Sequence, residues 1–122
     1  MKNVIVVLLV VAGTMEAFSQ GRQETIRNVS VTEFRKAMDS LKDEVVIDLR
    51  TPDEIKGGKI AGAVEIDYFG PNFEPALKRL DKNKVYLLYC ASGGRSGETA
   101  QLMDKMGFKN LYNMEGGFRE WV

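Results

Sequence analysis

Residues 85–97 read V-Y-L-L-Y-C-A-S-G-G-R-S-G, a passage that few folds accommodate. Val85 to Tyr89 is a short, almost unbroken apolar run rich in residues that suit strands, which predicts a strand buried on both faces. Gly93 and Gly94 mark a tight loop. Beyond it, Ala100, Met103 and Met106, with Leu102, give residues 96–106 the apolar stripe of a helix, and Gly107 suits its C-terminal cap. The unit is therefore strand, loop, helix, with Cys90 at the strand's carboxyl end. Loop glycines let successive backbone N–H groups curl round one point above the helix N-terminus, where unpaired amides and the helix dipole favour an anion. A thiolate is such an anion, and so is a sulfur oxyanion. A lone cysteine is most often a small buried hydrophobe, but at a strand–helix junction followed by Ala-Ser-Gly-Gly-Arg it is expected to be accessible and functional.

The absence of histidine from the 122 residues narrows the chemistry further. It removes Ser-His-Asp triads, Cys-His dyads and the usual histidine zinc sites. A single cysteine likewise removes disulfide frameworks and cysteine metal clusters, so neither a metal nor a cofactor is expected. The 17 basic and 17 acidic residues cancel, so bulk charge points to no nucleic-acid partner, and any electropositive site must be local. A length of 122 residues with 44% hydrophobic content suits one compact domain with a real core.

At the N-terminus, Lys2 precedes an apolar run from Val4 to Ala12, and Ala17 and Ser19 supply a small-x-small pair. This is the order of a secretory signal peptide, so residues 1–19 are expected to be removed before Gln20 and the mature protein to be periplasmic or secreted. The run is shorter than the roughly 20 apolar residues of a membrane span. An uncleaved N-terminal anchor is the alternative; after cleavage no membrane contact is expected. Residues 20–28 read as a polar tether and residues 29–122 as the folded domain.

Within that domain, Ser30-Val31-Thr32-Glu33 and Thr51-Pro52-Asp53-Glu54 are capping boxes, predicting a helix from Val31 to about Ser40 and a short one that stops at Gly57-Gly58. Between them, Val45 to Arg50 reads as a buried strand whose charged end places Asp48 and Arg50 where open α/β sheets keep their ligands. A short strand within Ala63 to Asp67, a helix through Phe73, Leu77 and Leu80, a strand from Leu111 to Met114 and a final helix carrying Phe118 and Trp121 complete the pattern. Strands alternating with helices predict an α/β fold, a small parallel β-sheet with helices on both faces.

The combination of Val46-Ile47-Asp48-Leu49-Arg50, Glu54, Gly58-Lys59-Ile60-Ala61-Gly62-Ala63, Tyr89-Cys90 through Arg95-Ser96 and Gly116-Gly117-Phe118-x-x-Trp121 resembles a single rhodanese domain. The resemblance covers about Val29 to Val122. It implies a small parallel sheet sandwiched by helices, with the active cysteine starting a loop that wraps a persulfide. On that basis Cys90 carries the sulfur, Ala91, Ser92, Gly93, Gly94 and Arg95 form the cradle, and Asp48, Arg50 and Ser96 support it. One departure is Lys59, which stands where the family often has histidine, at a position that usually belongs to the scaffold.

The chemistry also follows from the residues. To move a sulfane sulfur, a nucleophile must attack S–S or S–SO3 sulfur, and the cysteine thiolate is the only side chain here suited to it. Without histidine as base, the thiolate must be favoured by the helix N-terminus, the loop amides and Arg95. Thiosulfate releases sulfite, a stable anion, so no general acid is required. The expected reaction is transfer from thiosulfate or another sulfane donor to a thiol or cyanide acceptor, with a thiol-redox protein as a further candidate partner. Two alternatives stand beside it: a persulfide carrier or redox-interaction module with little turnover of its own, and a small cysteine phosphatase or arsenate reductase. The C-x-x-x-x-R spacing from Cys90 to Arg95 is one residue shorter than the C-x-x-x-x-x-R loop of the phosphatases.

Overall fold

The computed structural model describes residues 24–122, and the expected signal segment lies outside them. The elements run β1 (Ile26–Val29), α1 (Val31–Ser40), β2 (Glu44–Asp48), α2 (Pro52–Ile55), β3 (Val64–Glu65), α3 (Phe73–Lys78), β4 (Val85–Tyr89), α4 (Gly94–Lys105), β5 (Asn110–Met114) and α5 (Gly117–Trp121). The five strands form one sheet in the order β1-β5-β4-β2-β3, every neighbouring pair parallel. The α/β class expected from the alternating pattern is the observed one.

One expectation gives way here. Residues 26–28, read as the end of the tether, belong to β1, whose Ile26 to Val29 pair with Leu111 to Met114 of β5. Arg27 and Asn28 hid the strand, because an edge strand has a polar side and shows no continuous apolar run.

Local signals set the other boundaries. Ser30 and Thr51 each accept a backbone N–H at the third helical position, from Glu33 and Glu54, and both reciprocal bonds of each capping box are present. Gly107 has φ +101°, as the end of α4 requires. From β1 to β2 the chain crosses the sheet in one direction, and after β3 it returns in the other. With right-handed crossovers, this reversal puts α3 and α4 on the face opposite α1. Phe34 and Ala37 of α1 pack with Val46, Leu87, Tyr89 and Met114 on one face, joined by Phe118 and Trp121 of α5. Leu77 of α3 and Ala100 and Met103 of α4 pack with Ile47, Leu88 and Leu111 on the other. Strand β4 lies at the centre of the sheet, its side chains alternating between the two cores. Tyr89 therefore faces the α1 and α5 side, while Cys90, one residue beyond the strand, joins the α3 and α4 side.

Candidate functional site

Strand β4 ends at Tyr89, and the chain turns through Ala91 and Ser92 into α4, whose N-cap is Gly93 at φ +102° with no capping side chain. The helix is capped from outside itself. Cys90 Sγ accepts the Ser96 N–H at 3.5 Å, the amide that an N-cap oxygen ordinarily takes. It also accepts the Gly93 N–H at 3.1 Å and the Ser96 hydroxyl at 3.4 Å. Burial works against a thiolate here, yet the Ser96 hydroxyl, the Ser96 amide and the amides of Ser92 and Gly93 outweigh it and bring the thiol below its ordinary pKa. Ser96, expected only as support, is thus a direct donor and is fully buried.

Cys90 is not exposed as expected: it is 1% accessible. Ser92 and Gly94 are the exposed residues of the loop that follows it. A second layer holds the loop from behind. The Phe118 N–H donates to the Cys90 carbonyl at 2.8 Å and the Arg119 N–H to the Ala91 carbonyl at 3.2 Å, so the first turn of α5 grips the backbone of the loop. Gly117, at φ +65°, permits the approach, since a Cβ there would lie 2.4 Å from the Ala91 carbonyl carbon and oxygen. Asn113 of β5 adds a weaker hold, its Nδ2 donating to Asn28 at 3.0 Å and to the Gly93 carbonyl at 3.4 Å.

Arg95, expected to help favour the thiolate as the one full positive charge in the loop, is held by a carboxylate as well: its two Nη groups donate to the two carboxylate oxygens of Glu54, each at 2.8 Å. Glu54 also accepts the Thr51 N–H at 3.0 Å. The Arg95 bond, aided by Thr51, holds the Glu54 carboxyl at about 2 despite partial burial. The Arg95 charge is still felt by the thiolate, as the rise in the Arg95 pKa reflects Cys90 as well as Glu54. Nothing local in the sequence pairs Glu54 with Arg95, which lie 41 positions apart.

Asp48 and Arg50 do not hydrogen-bond to the sulfur. Arg50 donates through its backbone and its Nε to one Asp48 oxygen, each at 3.0 Å, and through Nη2 to the other at 2.8 Å. Tyr89 donates its hydroxyl to Asp48 and accepts the Ile60 N–H at 3.1 Å. Arg50 further reaches the Gly58 carbonyl at 2.8 Å, and its guanidinium carbon lies 4.0 Å from the centroid of the Phe118 ring. The group ties the end of β2, the loop after α2, β4 and α5 into one block beneath the cysteine. Such a buried pair is costly to break singly, because the remaining charge would stand uncompensated. Lys59 donates to the Ala63 carbonyl at 2.9 Å and to Glu65 at 2.8 Å, a scaffold contact as its position implied.

The model of the rhodanese-like domain matches residues 30–122. This chain belongs to that family. Among relatives, the Bacillus subtilis protein YqhL is 32% identical over 123 positions, covering 99% of this chain and 94% of its own. The thiosulfate sulfurtransferase GlpE of Coxiella burnetii is 32% identical over 80 positions, 66% of this chain and 73% of its own. The crystal structure of a rhodanese-like domain protein from Staphylococcus aureus superposes with a TM-score of 0.70 at 26% identity, covering 79% of this chain and 91% of that one. In this rhodanese-like chain the cysteine at the head of α4 is a sulfur poised to carry negative charge.

Proposed function

We propose that the protein is a sulfurtransferase that takes a sulfane sulfur onto Cys90 as a persulfide and passes it to a thiophilic acceptor. One observation carries the reading: the Gly93 amide and the amide and hydroxyl of Ser96 converge on Cys90 Sγ. The same donors suit the thiolate before transfer and the terminal persulfide sulfur after it, so the charge moves by one bond without leaving their reach. In the first step the Cys90 thiolate attacks the sulfane sulfur, a new S–S bond forms, and the donor leaves as sulfite or a thiolate with the electron pair of the broken bond. Neither product needs a proton at that moment, which accords with a chain lacking histidine. A thiol or cyanide then attacks the outer sulfur and restores the thiolate. The sulfurtransferase name of a relative such as GlpE supports this class of reaction.

Multiple-turnover assay with a sulfane donor and a small acceptor tests it. Turnover that is lost in Cys90→Ser is expected, and near-wild-type turnover in that variant overturns the mechanism. Uptake of sulfur with release only to a protein thiol would favour the carrier reading. We also propose that the chain is exported, with residues 1–19 removed. N-terminal sequencing of fractionated protein should find Gln20 first, and an intact N-terminus on cytoplasmic protein overturns the assignment.

A further inference from the structure

The positive charge that the sulfur loop itself carries is paired. Arg95 is the sole basic residue from Cys90 to Ser96, and Glu54 occupies both of its Nη groups. A second carboxylate, Glu98 in the first turns of α4, accepts the hydroxyl of Tyr68, a residue whose acidity also feels Arg95. Beside Arg95 stands Phe69, 69% exposed, its ring centroid 5.6 Å from the guanidinium carbon. Among the described residues the other exposed large hydrophobics are Val64 and Val122. An aromatic ring left in water beside the sulfur loop offers a surface to an organic group.

Resting on the persulfide reading above, we propose that the sulfur donor is an organic persulfide, R–S–SH, with little charge beside its sulfurs, rather than the dianion thiosulfate. A dianion approaching this loop meets a guanidinium already paired with Glu54, with Glu98 close by. An organic persulfide needs only the three donors under its outer sulfur and an apolar surface for R, which Phe69 supplies. The Cys90 thiolate attacks the outer sulfur, the Cys90–sulfur bond forms, and the S–S bond breaks with its electron pair leaving on R–S⁻. The outer sulfur keeps its proton until it passes to solvent. No oxidant or reductant enters the balance.

The experiment compares second-order rate constants for persulfidation of Cys90 by thiosulfate and by N-acetylcysteine methyl ester hydropersulfide, read by intact mass. In the wild type the hydropersulfide should be faster by about tenfold or more, and added salt should not slow the thiosulfate reaction. Glu54→Gln uncovers the Arg95 charge and should move the ratio toward thiosulfate by about tenfold, now with a rate that falls as salt rises. Phe69→Ala, at a position 69% exposed, should slow the hydropersulfide several-fold. Thiosulfate reacting as fast as the hydropersulfide in the wild type overturns the donor assignment, as does a steep fall of its rate with salt. Sulfur taken from thiosulfate alone would sink this donor class and leave the sulfurtransferase reading standing. Uptake from neither donor would sink both.

Discussion

Replacement of Gly117 by alanine should disable the site from a position that touches neither sulfur nor substrate. Two costs add. At φ +65° the backbone is left-handed, which costs an L-residue about 1–2 kcal/mol. The new Cβ would also sit 2.4 Å from the Ala91 carbonyl carbon and oxygen and 2.5 Å from the Ser92 nitrogen, backbone atoms that cannot swing aside. Overpacking of that kind costs about 1–3 kcal/mol, so the total is about 2–5 kcal/mol. In a domain of this size that corresponds to a fall of about 10 °C or more in Tm. The strain falls on the loop, because the Phe118 and Arg119 amides would have to release the Cys90 and Ala91 carbonyls for the helix to withdraw. Gly62→Ala is the control, since Gly62 has φ +82° but nothing within 4 Å of its Cβ position, so it bears only the backbone cost. Denaturant unfolding and the pH dependence of thiol alkylation should be measured on both. Gly117→Ala is expected to lose more stability than Gly62→Ala and, alone of the two, to move the Cys90 alkylation profile to higher pH. Equal losses with unchanged alkylation would refute the view that α5 holds the cradle in place.

Other outcomes follow from the same geometry. Ser96→Ala removes a hydroxyl donor to the thiolate, worth about 1 kcal/mol, and should raise the midpoint of Cys90 alkylation by about 0.5–1 pH unit; an unmoved midpoint would mean that the amides alone hold the charge. Because the Glu54 carboxyl is held at about 2, below its ordinary 4.5, the Glu54–Arg95 pair stabilises the fold above that range and loses its effect as pH falls from 4.5 toward 2. Acid unfolding of Glu54→Gln should therefore be less steep across that window, as monitored by tryptophan fluorescence. An aryl phosphate should not be hydrolysed at a useful rate, since a loop one residue shorter than the phosphatase loop encloses one sulfur rather than a tetrahedral phosphoryl group; robust hydrolysis that is lost in Cys90→Ser would overturn this. Inserting one glycine after Gly94 tests the same point from the other side.

What could be read from the chain before its fold was known was local. Each capping box announced its own helix, and the apolar run ending in Cys90 announced the central strand, because the causes lie within a few residues of the effects. The site was legible only as far as that held. Cys90, the loop glycines and Ser96 are close in sequence, and they meet in space. Glu54 could be seen as a capping residue but not as the partner of Arg95, for that pairing depends on how the loops after β2 and β4 are brought side by side. Gly116 and Gly117 could be seen as part of the family pattern, whereas the requirement at Gly117 comes from the Ala91 backbone lying against it. Strand β1 escaped because its polar residues are tolerated at a sheet edge, and the pairing that defines it lies in β5.

The central claim is that Cys90 bears the travelling sulfur under the Gly93 and Ser96 donors. Its most direct test is intact-mass and peptide-level mass spectrometry of the protein after exposure to a sulfane donor, followed by an acceptor thiol. The expected result is a gain of one sulfur atom located on Cys90, absent in Cys90→Ser, and its loss when the acceptor is added. A wild-type protein that gains no sulfur from any sulfane donor, or gains it at a residue other than Cys90, would contradict the account.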